Sequence, residues 1–217
     1  TLSDEHRGVR REYDEMKLYN IPYTIHHIPE KCQILPDLLP PEKKYIIIHN
    51  TGNPNPQCDA GWHDEYIHRQ ATEKDFRQAS WHITVDDKEI FEHVPLYEAA
   101  WHASDTSYGR GNYTGIGIEM CVNGFPGVYE GKEFEKWLET FRKTMYNTAV
   151  LTRWLMNMFH IPFENILQHY DCAPDRKNCP EQMRRDIPAG CFSRENGTLY
   201  NEFLQLVKTL ELPEQNR

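Results

Sequence analysis

The chain has 217 residues, 39% hydrophobic and 26% charged, with 12 Gly and 14 Pro, which is the composition of a globular protein long enough to bury one sizeable core. Its 24 Lys and Arg stand against 33 Asp and Glu, and the formal charge of −9 excludes a broad nucleic-acid footprint, because phosphate binding needs a net basic surface. No run of apolar residues is long enough to span a membrane, and the six cysteines (Cys32, Cys58, Cys121, Cys172, Cys179, Cys191) are too sparse for a disulfide scaffold.

Up to about Asn20, charges alternate with Tyr13, Met16 and Leu18, which predicts a short surface helix. The opening string TLSDEHRGVRREYDEMK lacks the apolar core of a signal peptide. From Ile21 to Lys44, Pro22, Pro29, Pro36, Pro40 and Pro41 forbid regular helix and predict an extended lead-in wrapped on the domain. Residues 1–44 are therefore read as helix plus lead-in, and 45–217 as the functional domain.

Tyr45-Ile46-Ile47-Ile48 predicts a buried central strand that delivers His49 to the sheet edge. Asp59 is placed to cap a helix through Trp62, Tyr66 and Ile67 toward Ala71. Ser80 to Val94 alternates with near period two around Asp86-Asp87-Lys88, which predicts a hairpin. Residues 95–114 lack periodicity and suit a loop over a cleft. Gly115 to Val122 reads as a strand with Glu119 set inside an apolar run, and Lys132 to Phe159 as a long helix with one apolar stripe. Asn165 to His169 predicts a strand carrying a second histidine, followed by the polar loop YDCAPDRKNCP and a last helix from Thr198 to Leu210. The expected fold is α/β: a single domain with a mixed central sheet flanked by helices.

Three residues stand out as metal donors: His49 and His169 at strand ends, and Cys179 in the loop after the second. Zinc accepts nitrogen and sulfur donors, and a catalytic site uses three protein ligands with a fourth position left for water. With 11 His and 6 Cys many such sets exist, so spacing alone selects none. A strand-end histidine is also often only a hydrogen-bonded structural residue. Glu119 must either have a partner or face an open cleft, because burying it unpaired is costly.

The strings IIIHNTGN, SWHITVDDKEIFEHVP, AAWHASD, GIGIEMCVN and HYDCAPDRKNCP occur in this order. Together they resemble the type 2 N-acetylmuramoyl-L-alanine amidases, a group that includes phage endolysins, bacterial autolysins and, more distantly, peptidoglycan recognition proteins. The resemblance covers about Ile46 to Pro180. It implies a zinc ion held by His49, His169 and Cys179, Glu119 as the catalytic carboxylate and Lys177 as the cation stabilising the oxyanion. It further implies a hydrolase acting on bacterial peptidoglycan at the amide between N-acetylmuramic acid and L-alanine.

The chain departs from that group twice. The segment from His169 to Cys179 is two residues longer, which makes Cys172 a competitor for the third ligand position, though Lys-x-Cys-Pro keeps its register at Cys179. Trp81 stands where some phage members carry a catalytic tyrosine; an indole cannot take that proton role, so acid and base work falls on Glu119. His102, Trp81 and Trp101 are read as lining the substrate cleft, and Trp62, Tyr108 and Tyr113 as able to stack on sugar or peptide. Asp171 is read as orienting the His169 ring, and His82 and His93 as structural. The resemblance favours the catalytic part of a phage or prophage endolysin, made in the bacterial cytoplasm and acting at the cell wall. A bacterial autolysin or germination amidase, a non-catalytic peptidoglycan-binding module and a structural zinc site are the rivals.

Overall fold

The computed structural model describes residues 13–187, 191–192 and 196–213. In chain order the strands are β1 (Tyr13–Leu18), β2 (Ile21–His26), β3 (Tyr45–Asn50), β4 (Ile83–Val85), β5 (Ile90–Glu92), β6 (Gly115–Met120), β7 (Ile166–Gln168), β8 (Arg185–Asp186) and β9 (Cys191–Phe192). The helices are α1 (Ala60–Thr72), α2 (Gly131–Phe159), α3 (His169–Cys172) and α4 (Thr198–Thr209). Seven strands form one mixed sheet in the order β1-β2-β5-β4-β6-β3-β7, with β8 and β9 pairing separately. The expected mixed sheet flanked by helices is the observed architecture.

The apolar runs of β3 and β6 fold as parallel neighbours, with Tyr45 to Asn50 in register with Gly115 to Met120. Side chains alternate between faces, so Ile46, Ile48, Ile116, Ile118 and Met120 enter the main core with Phe141, Met145 and Leu155 of α2. His49, Gly117 and Glu119 are thereby turned to the other face. The stripe on α2 buries Phe134, Trp137, Phe141, Met145 and Thr148 at spacings of three and four, and the helix ends at His160 in the left-handed conformation (φ 54°). α4 adds Leu199, Tyr200, Phe203 and Val207 to the same core. A smaller cluster of Ile28, Ile34, Ile67, Ala71, Trp81 and Val94 packs beneath α1. As anticipated, Asp59 caps α1, its carboxylate accepting the Trp62 N–H at 2.8 Å. No helix among the described residues is long and apolar enough to cross a membrane.

The N-terminal segment differs from expectation. Tyr13 to Leu18 is not a helix but the edge strand of the sheet, paired antiparallel with β2 through the Tyr19-Asn20 turn. The rest of the expected helix lies outside the described residues. Two features favour the strand. Met16 and Leu18 are two apart and both reach the core, and Tyr19 and Asn20 adopt positive φ (48° and 72°), the backbone twist of a two-residue hairpin. Ile21 to His26, expected to be a wrapping connection, is likewise a strand. It pairs with β5 from Tyr23 to Ile25, so Pro22 falls outside that ladder and its missing N–H costs no bond there. After His26 the chain does run without regular structure to Lys44, where buried Lys43 donates to the carbonyls of Glu98 and Gly115.

Candidate active site

β3 lies between β6 and β7, and this order builds the site. His49 is opposite Glu119 in the β3–β6 register, and Ile48 is opposite Gln168 in β7, so the chain leaving β7 sets His169 beside His49. His169 is not the last residue of the strand but the first of α3. The Nδ1 atoms of His49 and His169 are 3.1 Å apart. Cys179 arrives from the following loop, and the donor atoms of His49, His169 and Cys179 all lie within 4.8 Å of one another. Its Sγ accepts the Asn50 backbone N–H at 3.2 Å, a bond available because β7 pairs with β3 only as far as Ile48.

Burial dominates the electrostatics. Desolvation, reinforced by neighbouring imidazoles and Lys177, holds His49 well below the ordinary histidine range, and burial with Lys177 lowers His169 to about 4. Both rings therefore offer unprotonated nitrogens near neutral pH. Burial pushes the Cys179 thiol far up, which a divalent cation would reverse. Two imidazoles and a thiol converging on one point fit a zinc-type ion, which binds such donors at ~2.0–2.3 Å. Cys172, the competing thiol, falls outside this cluster. Its Sγ faces Gly111, and burial raises it to about 12.

Each ligand ring has a second contact. His49 Nε2 meets His102 Nδ1 at 3.0 Å, and His169 Nε2 meets Ser104 Oγ at 3.2 Å. Asp171, expected beside the His169 ring, instead accepts the Gln168 backbone N–H at 2.7 Å and closes the cap of α3. A carboxylate at the third position of a short helix reaches back to the cap more readily than sideways to a ring at the first. His82 donates from Nε2 to the Glu98 carbonyl (2.7 Å) while its Nδ1 accepts the Gly117 N–H (3.0 Å), so both its nitrogens serve the scaffold.

Glu119 Oε1 lies 3.8 Å from His49 Nδ1. Burial raises its carboxyl to about 8, with the positive charge of Arg77 opposing. A cleft of about 570 Å³ opens over these residues and is lined also by Arg77, Trp81, Trp101 and Lys177. Within it Glu119 Oε2, His102 Nε2 and Trp101 Nε1 are buried without a hydrogen-bond partner among the described residues, an arrangement suited to a polar occupant. Trp81 is different: its indole N–H is already given to Thr84 Oγ1 at 2.7 Å. Trp62 stacks on Tyr66 at 5.4 Å along an adjoining groove shared with Arg77, Trp81 and Glu119. Tyr108 and Tyr113 contact each other edge-on and do not line the cleft.

Three contributors carry no signal of their own in the sequence. Arg77 sits in a polar stretch after α1, Ser104 in an aperiodic loop, and the role of Asn50 is played by its backbone, which any residue but proline could supply.

Comparison with known proteins bears on the family and the fold. The family described as N-acetylmuramoyl-L-alanine amidase (Amidase_2) matches residues 39–182. The amidase CwlH of Bacillus subtilis is 34% identical over 139 residues, 64% of this chain and 48% of that protein. The amidase XlyA of the same organism is 36% identical over 139 residues, 64% and 40% respectively. The chain thus spans about half or less of the length of these relatives. Among solved structures, a mutant endolysin from Bacillus subtilis superposes with TM-score 0.65 at 29% identity, covering 86% of this chain and 99% of that one. The catalytic domain of XlyA gives TM-score 0.64 at 29% identity, covering 85% and 98%. Sequence and fold agree, and the chain belongs to the N-acetylmuramoyl-L-alanine amidase family.

Proposed function

We propose that this chain hydrolyses the amide between N-acetylmuramic acid and L-alanine in bacterial peptidoglycan, with a zinc ion held by His49, His169 and Cys179. The observation that carries this reading is the convergence of those three donors at the floor of a cleft, with the Glu119 carboxyl 3.8 Å from His49. When bound, zinc supplies Lewis acidity, lowering the pKa of a coordinated water toward ~7 and polarising a carbonyl oxygen.

The protein's own groups divide the remaining work. Glu119, facing the cleft 3.8 Å from His49, is placed to take a proton from the attacking water and return it to the leaving nitrogen. Lys177 supplies a positive charge at the cleft where the oxyanion of the tetrahedral intermediate develops, a contribution worth about 2.7–4 kcal/mol for comparable donors. His102 and Ser104 hold the two imidazoles in orientation, and the Asn50 N–H favours a thiolate at Cys179. Trp81, its N–H engaged by Thr84, forms cleft wall and leaves the proton traffic to Glu119. Trp101 presents an unpaired indole N–H to substrate.

The likeness to an endolysin and to the XlyA catalytic domain supports a catalytic unit of endolysin type that works at the bacterial cell wall. Digestion of purified peptidoglycan tests the reaction. Amidase action frees the α-amino group of L-alanine without freeing reducing sugar ends. Binding to cell walls with no new amino termini, in zinc-loaded protein, would instead mark a peptidoglycan-binding module.

A further inference from the structure

A second group of metal-type donors lies outside the cleft, where the end of β2 meets α1. Asp64 and His68 share one face of α1 four residues apart, and His26 at the end of β2 covers them. The donor atoms of His26, Asp64 and His68 all lie within 4.8 Å of one another. His68 Nε2 is 3.5 Å from Asp64 Oδ1, close to the ~3.4 Å separation between ligands of a tetrahedral zinc ion, and gives its proton to the His26 carbonyl at 2.9 Å, a proton that metal binding at this nitrogen would release. His26 Nδ1 contacts Asp64 Oδ2, and the His26 and His68 rings stack at 3.7 Å. The Asp64 carboxylate is buried, whereas the two histidine side chains are 24% and 22% exposed, so the cluster is open to solvent from their side.

The carboxylate is fixed in its charged form and in orientation by a chain of hydrogen bonds whose direction can be assigned. The Trp81 indole nitrogen can only donate, and it donates to Thr84 Oγ1 (2.7 Å). At the other end the ionised Asp64 Oδ1 can only accept, so the neutral His93 ring carries its proton on Nδ1 (2.9 Å) and its Nε2 accepts from the Thr84 hydroxyl (2.7 Å). Burial holds His93 below the ordinary histidine range, so the neutral ring persists. Burial alone would raise Asp64, but hydrogen bonds from His68 and His93 and the nearby imidazoles hold it far below the usual carboxylate range. A pre-oriented carboxylate with a hydrogen-bonded back and two accessible imidazoles in front has the arrangement of a metal ligand with its supporting shell.

We propose that His26, Asp64 and His68 bind a second divalent transition-metal ion of the zinc type, separate from the cleft site, that clips the β1–β2 hairpin to α1. Imidazole and carboxylate donors suit zinc, nickel or copper better than magnesium or calcium, which call for all-oxygen shells.

Zinc titration of untagged, metal-stripped protein, read as bound zinc per chain by equilibrium dialysis and elemental analysis, tests this. The wild type should hold about two equivalents, His169→Ala about one, and His68→Gln about one. Glutamine at 68 can keep the hydrogen bond to the His26 carbonyl, and circular dichroism checks that the variant is folded. A wild type that holds a single equivalent lost in His169→Ala overturns the proposal, as does a second equivalent that survives both His68→Gln and His26→Ala. A lone equivalent that survives His169→Ala but not His68→Gln would keep this site and overturn the cleft metal instead.

Discussion

His49 and Glu119 stand opposite each other on parallel strands β3 and β6, with Nδ1 and Oε1 3.8 Å apart. Paired residues in a parallel ladder project to the same face, so a proposed metal ligand and a proposed proton carrier are set side by side by backbone register alone. A shift of one residue in that register would send one of them into the core.

Glu119→Gln keeps the shape of the side chain and removes its proton chemistry. The kcat for peptidoglycan hydrolysis should fall by roughly 10²- to 10⁴-fold while bound zinc at the cleft is unchanged. Turnover within a few-fold of wild type would remove Glu119 from the mechanism.

The two loop thiols should separate cleanly. Cys179→Ala should lose the cleft zinc and the activity, and Cys172→Ala should keep both, since Cys172 lies outside the donor cluster. Chelation of wild-type protein should abolish activity and added zinc restore it. If Cys172→Ala is the variant that loses metal, the assignment of the loop is wrong.

Gly117 is required for space. A Cβ at this position would lie 2.7 Å from His102 Nδ1, the atom that meets His49 Nε2. Gly117→Ala should destabilise the protein by about 1–3 kcal/mol and reduce activity through displacement of His102. Gly61→Ala is the contrast: its Cβ would meet neighbours at 3.6 Å or more, inside α1, and should be neutral or stabilising by about 0.5–1 kcal/mol. Equal denaturation midpoints for Gly117→Ala and wild type would contradict the steric account.

Lys43 titrates against folding. Burial lowers it from 10.5 to about 7, with Glu98 opposing, so between those values the unfolded chain binds more protons than the folded one. Stability attributable to Lys43 therefore rises with pH across that window and is flat below it. Lys43→Met removes the titration, and the difference in unfolding free energy between wild type and variant should move in favour of wild type from pH 7 to pH 10. A pH-independent difference would show that Lys43 keeps an ordinary pKa.

Several features were legible in the sequence because they depend on local pattern. The apolar runs at Ile46 and Ile116, the Asp59 cap, the Ser80 to Val94 hairpin and the stripe on α2 each follow from side-chain period or cap chemistry. The order of the motif strings carried the family and the choice of His49, His169, Cys179 and Glu119 out of 11 His, 6 Cys and many carboxylates. The structure then brings those four residues together.

What only the tertiary structure decided depends on neighbours distant in the chain. Tyr13 to Leu18 looked helical because its charges alternate, but an antiparallel partner at Ile21 to His26 and a positive-φ turn make it a strand, and pairing outweighs weak local propensity. Asp171 is adjacent to His169 in sequence yet bonds the backbone of Gln168, while Ser104, 65 residues away, meets the ring. Arg77 and the Asn50 N–H join the site, and His26 and His68 gather around the Asp64 carboxylate, because sheet order and the docking of α1 place them there. Residue types and local periods are properties of the chain, whereas the distance between two side chains is a property of the packed fold.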